Sequence, residues 1–136
     1  MLLFPKKTKY KKYQKIAFNK TCIEDKLVFG NLAIKSEDYG IITSNSIESA
    51  RISITRSLKK VGFLWFRIFP DKPITKKPAE VRMGNGKGSI DKWGISINPG
   101  KIILEIQSPT KKMGLQILKV AQSKLPLRTK IVFLDK

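Results

Sequence analysis

Three glycines at alternate positions, Gly84, Gly86 and Gly88, stand beside two cations, Arg82 and Lys87. Because glycine has no Cβ and tolerates positive φ, backbone of this kind can approach another chain closely. The cations indicate that this other chain is anionic, and exposed amides in a tight turn form a concavity that binds anions. The segment therefore predicts contact with a phosphate backbone.

The charge balance of the whole chain supports that prediction. Lysine and arginine number 28 against 10 acids, which gives a formal charge of +18 on 136 residues. The hydrophobic content of 41% is enough for a core, which excludes a wholly disordered tail. Solubility asks for a net charge of only about 2–8 on a small domain. We therefore expect one domain whose positive charge is neutralised by a phosphate-rich partner.

Catalysis is disfavoured by the residue types that are missing. The chain has no histidine, so Ser-His and Cys-His nucleophile pairs are excluded. Its one cysteine, Cys22, forms neither an internal disulfide nor a zinc cluster. The acids occur singly or as Glu24-Asp25 and Glu37-Asp38, which we expect to be solvated carboxylates in turns. The sequence therefore predicts no enzyme, no cofactor, no metal site and no small-molecule substrate.

The N-terminal residues 1–20 are predicted to be a nucleic-acid-binding arm. They contain seven lysines and no acid, with Tyr10, Tyr13 and Phe18 among them. A block of like charge does not fold alone, and its aromatic rings can stack on unpaired bases. Residues 21–136 are predicted to form a single domain, with a functional loop at residues 70–93.

Two helices are predicted in that domain. The first follows the cap hydroxyls at Thr43, has Gly62 as its left-handed C-terminal cap, and buries Ile47, Ala50, Ile54, Leu58 and Val61. The second begins near Pro109 with the Thr110 hydroxyl as its cap, ends at Pro126, and buries Ile117, Leu118, Ala121 and Leu125.

Strands are predicted for most of the remainder. Phe63 to Phe69, Val28 to Ile34 and Lys130 to Leu134 are rich in β-branched and aromatic residues. The segments 94–98 and 101–106 flank Pro99-Gly100, which predicts a hairpin turn between them. Residues 70–93 have no clear period, apart from short strand pieces around Ile74 and Val81. The order of elements predicts an α+β fold, in which an antiparallel or mixed sheet has two helices packed on one face.

Nucleotide-binding loops do not fit the glycine segment. A Walker A loop needs Gly-Lys followed by Ser or Thr, but Lys87 is followed by Gly88. A dinucleotide fingerprint opens a helix, whereas this segment leads to a strand at Trp93.

With these residues in view, the chain resembles the bacterial-type large-subunit ribosomal protein L-sixteen family. The resemblance covers nearly the full length and rests on four segments. They are Pro5-Lys-Lys-Thr-Lys-Tyr-Lys-Lys, Ile47-Glu-Ser-Ala-Arg with Thr55-Arg, Trp65-Phe-Arg-Ile-Phe-Pro-Asp-Lys-Pro-Ile-Thr-Lys-Lys-Pro, and Arg82-Met-Gly-Asn-Gly-Lys-Gly. The chain departs from the family pattern after Lys15, where Ile16-Ala-Phe-Asn replaces a basic, glycine-rich run.

The resemblance implies a structural protein of the large ribosomal subunit, bound to rRNA near the peptidyl-transferase centre and helping to position A-site tRNA. Its implied partners are large-subunit rRNA, A-site tRNA and neighbouring ribosomal proteins. The loop that contacts tRNA or rRNA would be Arg82, Met83, Gly84, Gly86, Lys87 and Gly88. From charge patterning rather than from the resemblance, the expected rRNA-binding side chains are the cations of the N-terminal arm, of the first helix's polar face and of the proline-rich loop: Lys6, Lys7, Lys9, Lys11, Lys12, Lys15, Arg51, Arg56, Lys59, Lys60, Lys72, Lys76 and Lys77.

Other functions and locations remain open at this point. The chain could be a basic assembly factor or a nuclease that does not reside in the ribosome, although a nuclease needs clustered carboxylates for metal ions. A peripheral membrane protein would need a strongly amphipathic helix with exposed bulky residues, and no apolar run reaches the roughly 20 residues that span a bilayer. The Lys- and Ile-rich composition and the stretch Tyr10-Lys-Lys-Tyr-Gln-Lys favour a mitochondrially encoded member, with plastid or bacterial origin as alternatives.

Overall fold

Two helices and seven strands make up the fold of the described residues, which confirms the predicted α+β class. The computed structural model describes residues 3–14, 21–22, 24–59 and 61–133. In chain order the elements are β1 (Leu32–Ser36), β2 (Gly40–Thr43), α1 (Ser44–Leu58), β3 (Phe63–Phe66), β4 (Lys72–Lys76), β5 (Ser89–Ile97), β6 (Ile102–Gln107), α2 (Lys111–Gln122) and β7 (Thr129–Phe133).

The strands form two antiparallel sheets rather than one. The larger has the order β3-β6-β1-β7, and the smaller has the order β2-β5-β4. The predicted hairpin around Pro99-Gly100 is therefore wrong, because β5 and β6 belong to different sheets. Gly100, at φ 84°, lies in the connection that carries the chain from one sheet to the other.

The first helix begins as predicted and ends earlier than predicted. The Thr43 side chain accepts a hydrogen bond from the Ser46 N–H, so it caps the N-terminus. The left-handed residue at the other end is Lys59, at φ 44°, and not Gly62. Val61 therefore lies beyond the helix and is exposed, although the sequence placed it on the buried stripe.

The second helix also stops short of its predicted end. Thr110 occupies the N-cap position, but its hydroxyl makes no capping hydrogen bond. The helix ends at Gln122, so Pro126 lies beyond it and does not terminate it. Leu125 is buried as predicted, but from the turn that follows the helix.

Both helices pack against each other and cover one side of the larger sheet. α1 contacts β3, and α2 contacts β1 and β7. The core between these layers consists mainly of isoleucine and leucine, including Ile34, Ile54, Leu104 and Leu118. A Cβ on Gly114 would lie 2.2 Å from a methyl group of Leu32, so this glycine permits the close approach of α2 to β1.

Several strand boundaries differ from the prediction. β3 ends at Phe66, β1 starts at Leu32, and Leu134 lies outside the described residues. β2 was not predicted, since four residues carry too little periodicity. Val81 is not in a strand. Neither helix of the described part of the chain has the length and apolar character that crossing a membrane requires.

Candidate nucleic-acid interface

The glycine segment forms the end of a β-hairpin. β4 and β5 pair in antiparallel fashion, with Lys76 opposite Ser89 as the last pair. The predicted loop of residues 70–93 is thus shorter than expected, since regular strands occupy both of its ends. Residues 77–88 connect the strands, and most of them are exposed. The smaller sheet therefore carries the candidate loop on a regular two-stranded base.

The tip of this loop has a left-handed backbone. Gly84, Asn85 and Gly86 have φ values of 99°, 53° and 75°, which favour glycine and asparagine. A Cβ built on Gly84 or Gly86 meets nothing within 4 Å, so conformation rather than crowding selects glycine there. Gly88 differs, because its Cβ would lie 2.5 Å from the carbonyl oxygen of Lys76. Two glycines thus shape an open tip, and the third lets the hairpin close.

Cationic and bulky side chains surround that tip. Arg82 is exposed, and Met83 is 96% exposed, which is unusual for so apolar a side chain. The Lys77 ammonium donates a hydrogen bond to the Gly84 carbonyl and so helps to hold the tip. The loop therefore presents an exposed cation, a flexible apolar side chain and bare backbone together.

The N-terminal segment lies against the same loop. Lys12 Nζ donates to the Lys87 carbonyl oxygen at 2.9 Å. In return, the Lys87 ammonium donates to the Tyr13 carbonyl. Two regions that are about 75 residues apart in sequence thus meet, which neither segment's local pattern indicates. The structure brings these candidate binding regions into one surface.

The described lysines of the predicted arm are exposed to solvent. They are Lys6, Lys7, Lys9, Lys11 and Lys12. Tyr10 packs edge-on against Tyr13 with ring centroids 6.2 Å apart, and the Lys9 ammonium lies 5.5 Å from the Tyr10 ring centre. Leu3, in contrast, is buried in the core cluster. Lys15 and residues 16–20 lie outside the described residues.

The remaining candidate cations divide into exposed side chains and side chains that a described partner engages. Arg56, Lys59 and Lys76 are exposed. Arg51 forms a 2.7 Å ion pair with Glu48 on the same helix, and its guanidinium lowers the pKa of that carboxyl. Lys72 Nζ donates to the Ser96 hydroxyl at 2.8 Å, so it partly serves the smaller sheet. Lys60 lies outside the described residues.

A buried ion pair on the larger sheet was missed by the sequence analysis. Glu105 in β6 has no solvent exposure, and its carboxylate accepts hydrogen bonds from the Arg67 guanidinium and from three backbone N–H groups. Those of Phe29 and Gly30 lie 2.7 and 2.9 Å from Oε2, and that of Val28 lies at 3.1 Å. The available signal was one lone charge in each of two apolar segments, Arg67 in residues 63–69 and Glu105 in residues 102–107.

These hydrogen bonds keep the Glu105 carboxyl ionised. Burial raises its pKa, because water no longer solvates the charge. The three N–H groups and the Arg67 guanidinium outweigh that effect and bring the pKa below its ordinary value. The cluster fastens residues 28–30 onto the outer face of the larger sheet, which gives the carboxylate a structural role.

Asp25 is likewise structural, and the prediction that it is a solvated turn carboxylate is wrong. Its Oδ2 lies 3.0 Å from Lys101 Nζ and accepts from the Ile102 N–H at 3.2 Å. Burial raises the pKa of Asp25, but Lys101 and the Ile102 N–H lower it by more, so the net pKa lies below its ordinary value. Across residues 3–14, 21–22, 24–59 and 61–133, no three His, Cys, Asp or Glu side chains are grouped as metal ligands.

Comparison with known proteins places the whole arrangement in a family. The family described as "Ribosomal protein L16p/L10e" matches residues 5–132, which include the N-terminal lysines, both sheets and the hairpin loop. A curated relative, "Large ribosomal subunit protein uL16" of Blochmanniella floridana, is 48% identical over 128 residues. That alignment covers 94% of this chain and 96% of the relative. An exposed basic arm that meets a glycine-tipped hairpin is thus carried by a chain that belongs to the ribosomal protein L16p/L10e family.

Proposed function

We propose that the chain is a structural constituent of the large ribosomal subunit that binds large-subunit rRNA near the peptidyl-transferase centre. From there its hairpin loop helps to position A-site tRNA. Membership of the family and the name of the 48% identical relative support the subunit. The formal charge of +18 supports an RNA partner. Neighbouring ribosomal proteins are its further partners in this assembly.

The observation that carries the tRNA role is the loop tip. Gly84 and Gly86 have positive φ, and open space surrounds the positions where a Cβ would stand. A nucleic-acid backbone can therefore approach the tip more closely than it could approach a surface covered by side chains. Arg82 supplies a planar guanidinium suited to bidentate contact with a phosphate. Together these features favour contact with a phosphate backbone.

The rRNA contacts are assigned to the exposed cations outside the tip. The lysines of residues 6–12 and those at the hairpin base lie on segments that meet through Lys12, Tyr13 and Lys87. One continuous basic surface can therefore neutralise several phosphates at once. Arg51 and Lys72 contribute less, because Glu48 and Ser96 already engage them.

The alternative functions gain less support. A nuclease needs carboxylates free to hold metal ions, but Asp25 and Glu105 are each engaged by cations and backbone N–H groups. An assembly factor outside the ribosome would share the basic surface, so sedimentation separates it from a resident protein. A resident protein travels with large subunits through salt washes that release transient factors.

The compartment is proposed to be the mitochondrion, on the lysine- and isoleucine-rich composition and the tyrosine-lysine stretch near the N-terminus. The relative at 48% identity is from a bacterium, so a bacterial or plastid ribosome is the competing assignment. Ribosomes purified separately from mitochondria, plastids and cytoplasm decide this, because the chain will be found in only one of these preparations.

The tRNA role is tested with three variants, Arg82→Ala, Gly84→Val and Gly86→Val, each assembled into purified ribosomes. We expect domains that remain folded, because the changes lie outside the core and the strain of valine at positive φ is confined to the loop tip. A-site tRNA binding should be weakened, and elongation or late subunit maturation should be slower. Lys119→Ala removes an exposed cation from α2, far from the loop in sequence, and serves as the control. Normal tRNA binding and elongation in all three loop variants would leave the loop as a passive surface turn.

A further inference from the structure

An exposed row of rings lies on the larger sheet, away from the hairpin loop. The Arg67 guanidinium lies 5.7 Å from the ring centre of Phe29. The Phe29 and Trp65 centroids are 6.0 Å apart, and those of Trp65 and Phe63 are 5.9 Å apart. The angles between ring planes are 24° and 33°, so Phe29 and Trp65 are stacked and Phe63 is tilted against Trp65. We call these four side chains the aromatic row.

The row lies on the sheet face opposite the helices. Leu64 and Phe66 of β3 pack against the core, so the alternate residues Phe63 and Trp65 point to the other face. Phe63 is 64% exposed and Phe29 is 55% exposed. β3 is also an edge strand of its sheet. Large rings thus remain open at the margin of the domain, where a partner can reach them.

The row is fixed in position from beneath. Glu105 binds the Arg67 guanidinium and the backbone N–H groups on both sides of Phe29. The carboxylate therefore holds the cation at one end of the row and the segment that carries the first ring. Because these atoms are already ordered, the protein loses little conformational entropy when a partner stacks on the rings.

We propose that the aromatic row binds an unpaired RNA base by stacking. This inference rests on the proposed function, since it adds a base contact to a protein that otherwise binds phosphates. Every base has a planar π-face, and antiparallel sheets with exposed aromatic side chains are used to stack bases. The charge of Arg67 is compensated by Glu105, so the row contributes stacking while lysines elsewhere supply phosphate contacts.

The geometry favours RNA over a protein partner. Protein interfaces concentrate their binding energy where a side chain enters a desolvated pocket. Here three rings follow one another at the edge of a sheet instead, and the ring at the end of the row, Phe63, is 64% exposed. The chain also carries +18, which concentrates RNA around it.

The test uses the full-length protein and two labelled probes, an eight-nucleotide single-stranded RNA and the abasic oligomer of the same length. Both carry the same phosphates, but only the first has bases. Phe29→Leu and Phe63→Leu keep an apolar side chain and remove the ring. Phe69→Leu makes the same change at an exposed phenylalanine beyond the end of β3. Dissociation constants are compared at fixed salt, and thermal unfolding verifies that each variant is folded.

We expect each ring variant to weaken binding of the base-bearing RNA by about fivefold to a hundredfold. Its affinity for the abasic oligomer and the affinities of Phe69→Leu should not change. Equal losses for both probes, or no loss for either, would overturn the stacking site. If ring variants bound RNA normally but large subunits containing them lacked a neighbouring protein, the row would be a protein contact instead. Failure of the wild-type chain to bind either probe in a salt-dependent way would count against the proposed function itself.

Discussion

The Glu105 carboxylate keeps its charge although it is fully buried in an apolar strand. Burial of an ion costs more than one partner usually returns, so the number of hydrogen bonds decides the outcome. Here the guanidinium of Arg67 and the N–H groups of residues 28–30 use both oxygens. At the residue scale, one side chain therefore determines where a whole segment lies.

Glu105→Gln tests this role. An amide keeps the shape but leaves the Arg67 charge without its partner and turns an NH2 group toward a donor. We expect the free energy of unfolding to fall by about 3–5 kcal/mol, as for other broken buried pairs. Glu48→Gln breaks a half-buried, solvent-accessible pair on α1 and should change the free energy of unfolding by no more than about 1 kcal/mol. Denaturant unfolding at neutral pH measures both, and equal effects would contradict the structural role.

The pH dependence of stability follows from the same group. The folded-state pKa of Glu105 lies below the ordinary value of 4.5, so its contribution is complete above that value. The contribution is lost as the pH falls through the lower, folded-state pKa. Asp25 acts in the same direction from its ordinary value of 3.8. Unfolding between about pH 6 and pH 3 should show a steep loss that is smaller in Glu105→Gln. Parallel curves for the two proteins would refute this assignment.

At the element scale, the left-handed end of α1 is notable because a lysine occupies it. Lys59 has φ 44°, where a side chain with a Cβ costs about 1–2 kcal/mol relative to the right-handed region. The corresponding residue of α2, Ser123, has φ −65° and bears no such cost. The two helix ends therefore form a natural pair for comparison.

Lys59→Gly should raise the free energy of unfolding by about 1 kcal/mol, because glycine adopts this conformation freely. Ser123→Gly should lower the free energy of unfolding by about 0.5–1 kcal/mol, since glycine at that position only increases the conformational entropy of the unfolded chain. Thermal unfolding of both variants provides the measurement. A loss of stability in Lys59→Gly would show that the lysine side chain contributes more than its conformation costs.

The helices were predictable because their information is local. Ile47, Ala50, Ile54 and Leu58 recur at steps of three or four, and all four are buried. Strand partners were not predictable in this way. The two-residue period of β5 and β6 would be the same whether they paired with each other or with other strands, so Pro99-Gly100 suggested a hairpin that does not exist.

The candidate site was predictable to a similar extent. Glycines and cations identified the loop, since bare backbone and positive charge can be recognised from residue type alone. The contact between Lys12 and Lys87 depends on the path of the chain over 75 residues, and the pairing of Arg67 with Glu105 spans 38. No local pattern contains such distances. The aromatic row was missed for the same reason, because Phe29 and Trp65 are distant in sequence and meet only in the folded chain.

At the scale of the whole molecule, a core contact joins the two parts into which the sequence was predicted to divide at residue 20. Leu3 lies in the hydrophobic core although it belongs to the segment predicted to act as an arm. Deleting residues 1–15 should weaken incorporation into large subunits and leave the remainder folded, but it should also remove the contribution of Leu3.

Leu3→Ala provides the matched control, and we expect it to cost about 2 kcal/mol, the low end for a buried leucine near the surface. The deletion should cost the same within about 0.5 kcal/mol, because the exposed lysines add little to the folded state. Thermal unfolding compares the two proteins. A much larger loss in the deletion would show that residues 4–15 are part of the domain.

The charge of the whole chain sets the character of RNA binding. With +18, the logarithm of the affinity for large-subunit rRNA should fall linearly with the logarithm of the salt concentration. Each neutralised phosphate contributes a slope of roughly −0.7 to −0.9. Replacing Lys6 and Lys7 by glutamine should reduce the slope by up to about two such units. Filter binding across a salt series measures this, and a flat dependence would rule out the phosphate-contact model.

In the hairpin that carries the glycine tip, a small rotation at the buried end of β5 is amplified into a larger displacement at the tip. β5 runs nine residues from Ser89 to Ile97, a span of about 27 Å at the usual rise per residue, and its inner end is seated in the core. At Gly94 all three strands of the smaller sheet converge, and a Cβ there would lie 2.8 Å from Ile74 Cδ1. A rotation of about 2° at the seat moves Ser89 by about 1 Å over that span. The direction in which the loop tip points therefore depends on the packing at Gly94 and Ile97. Repacking there would change that direction without changing any residue of the tip.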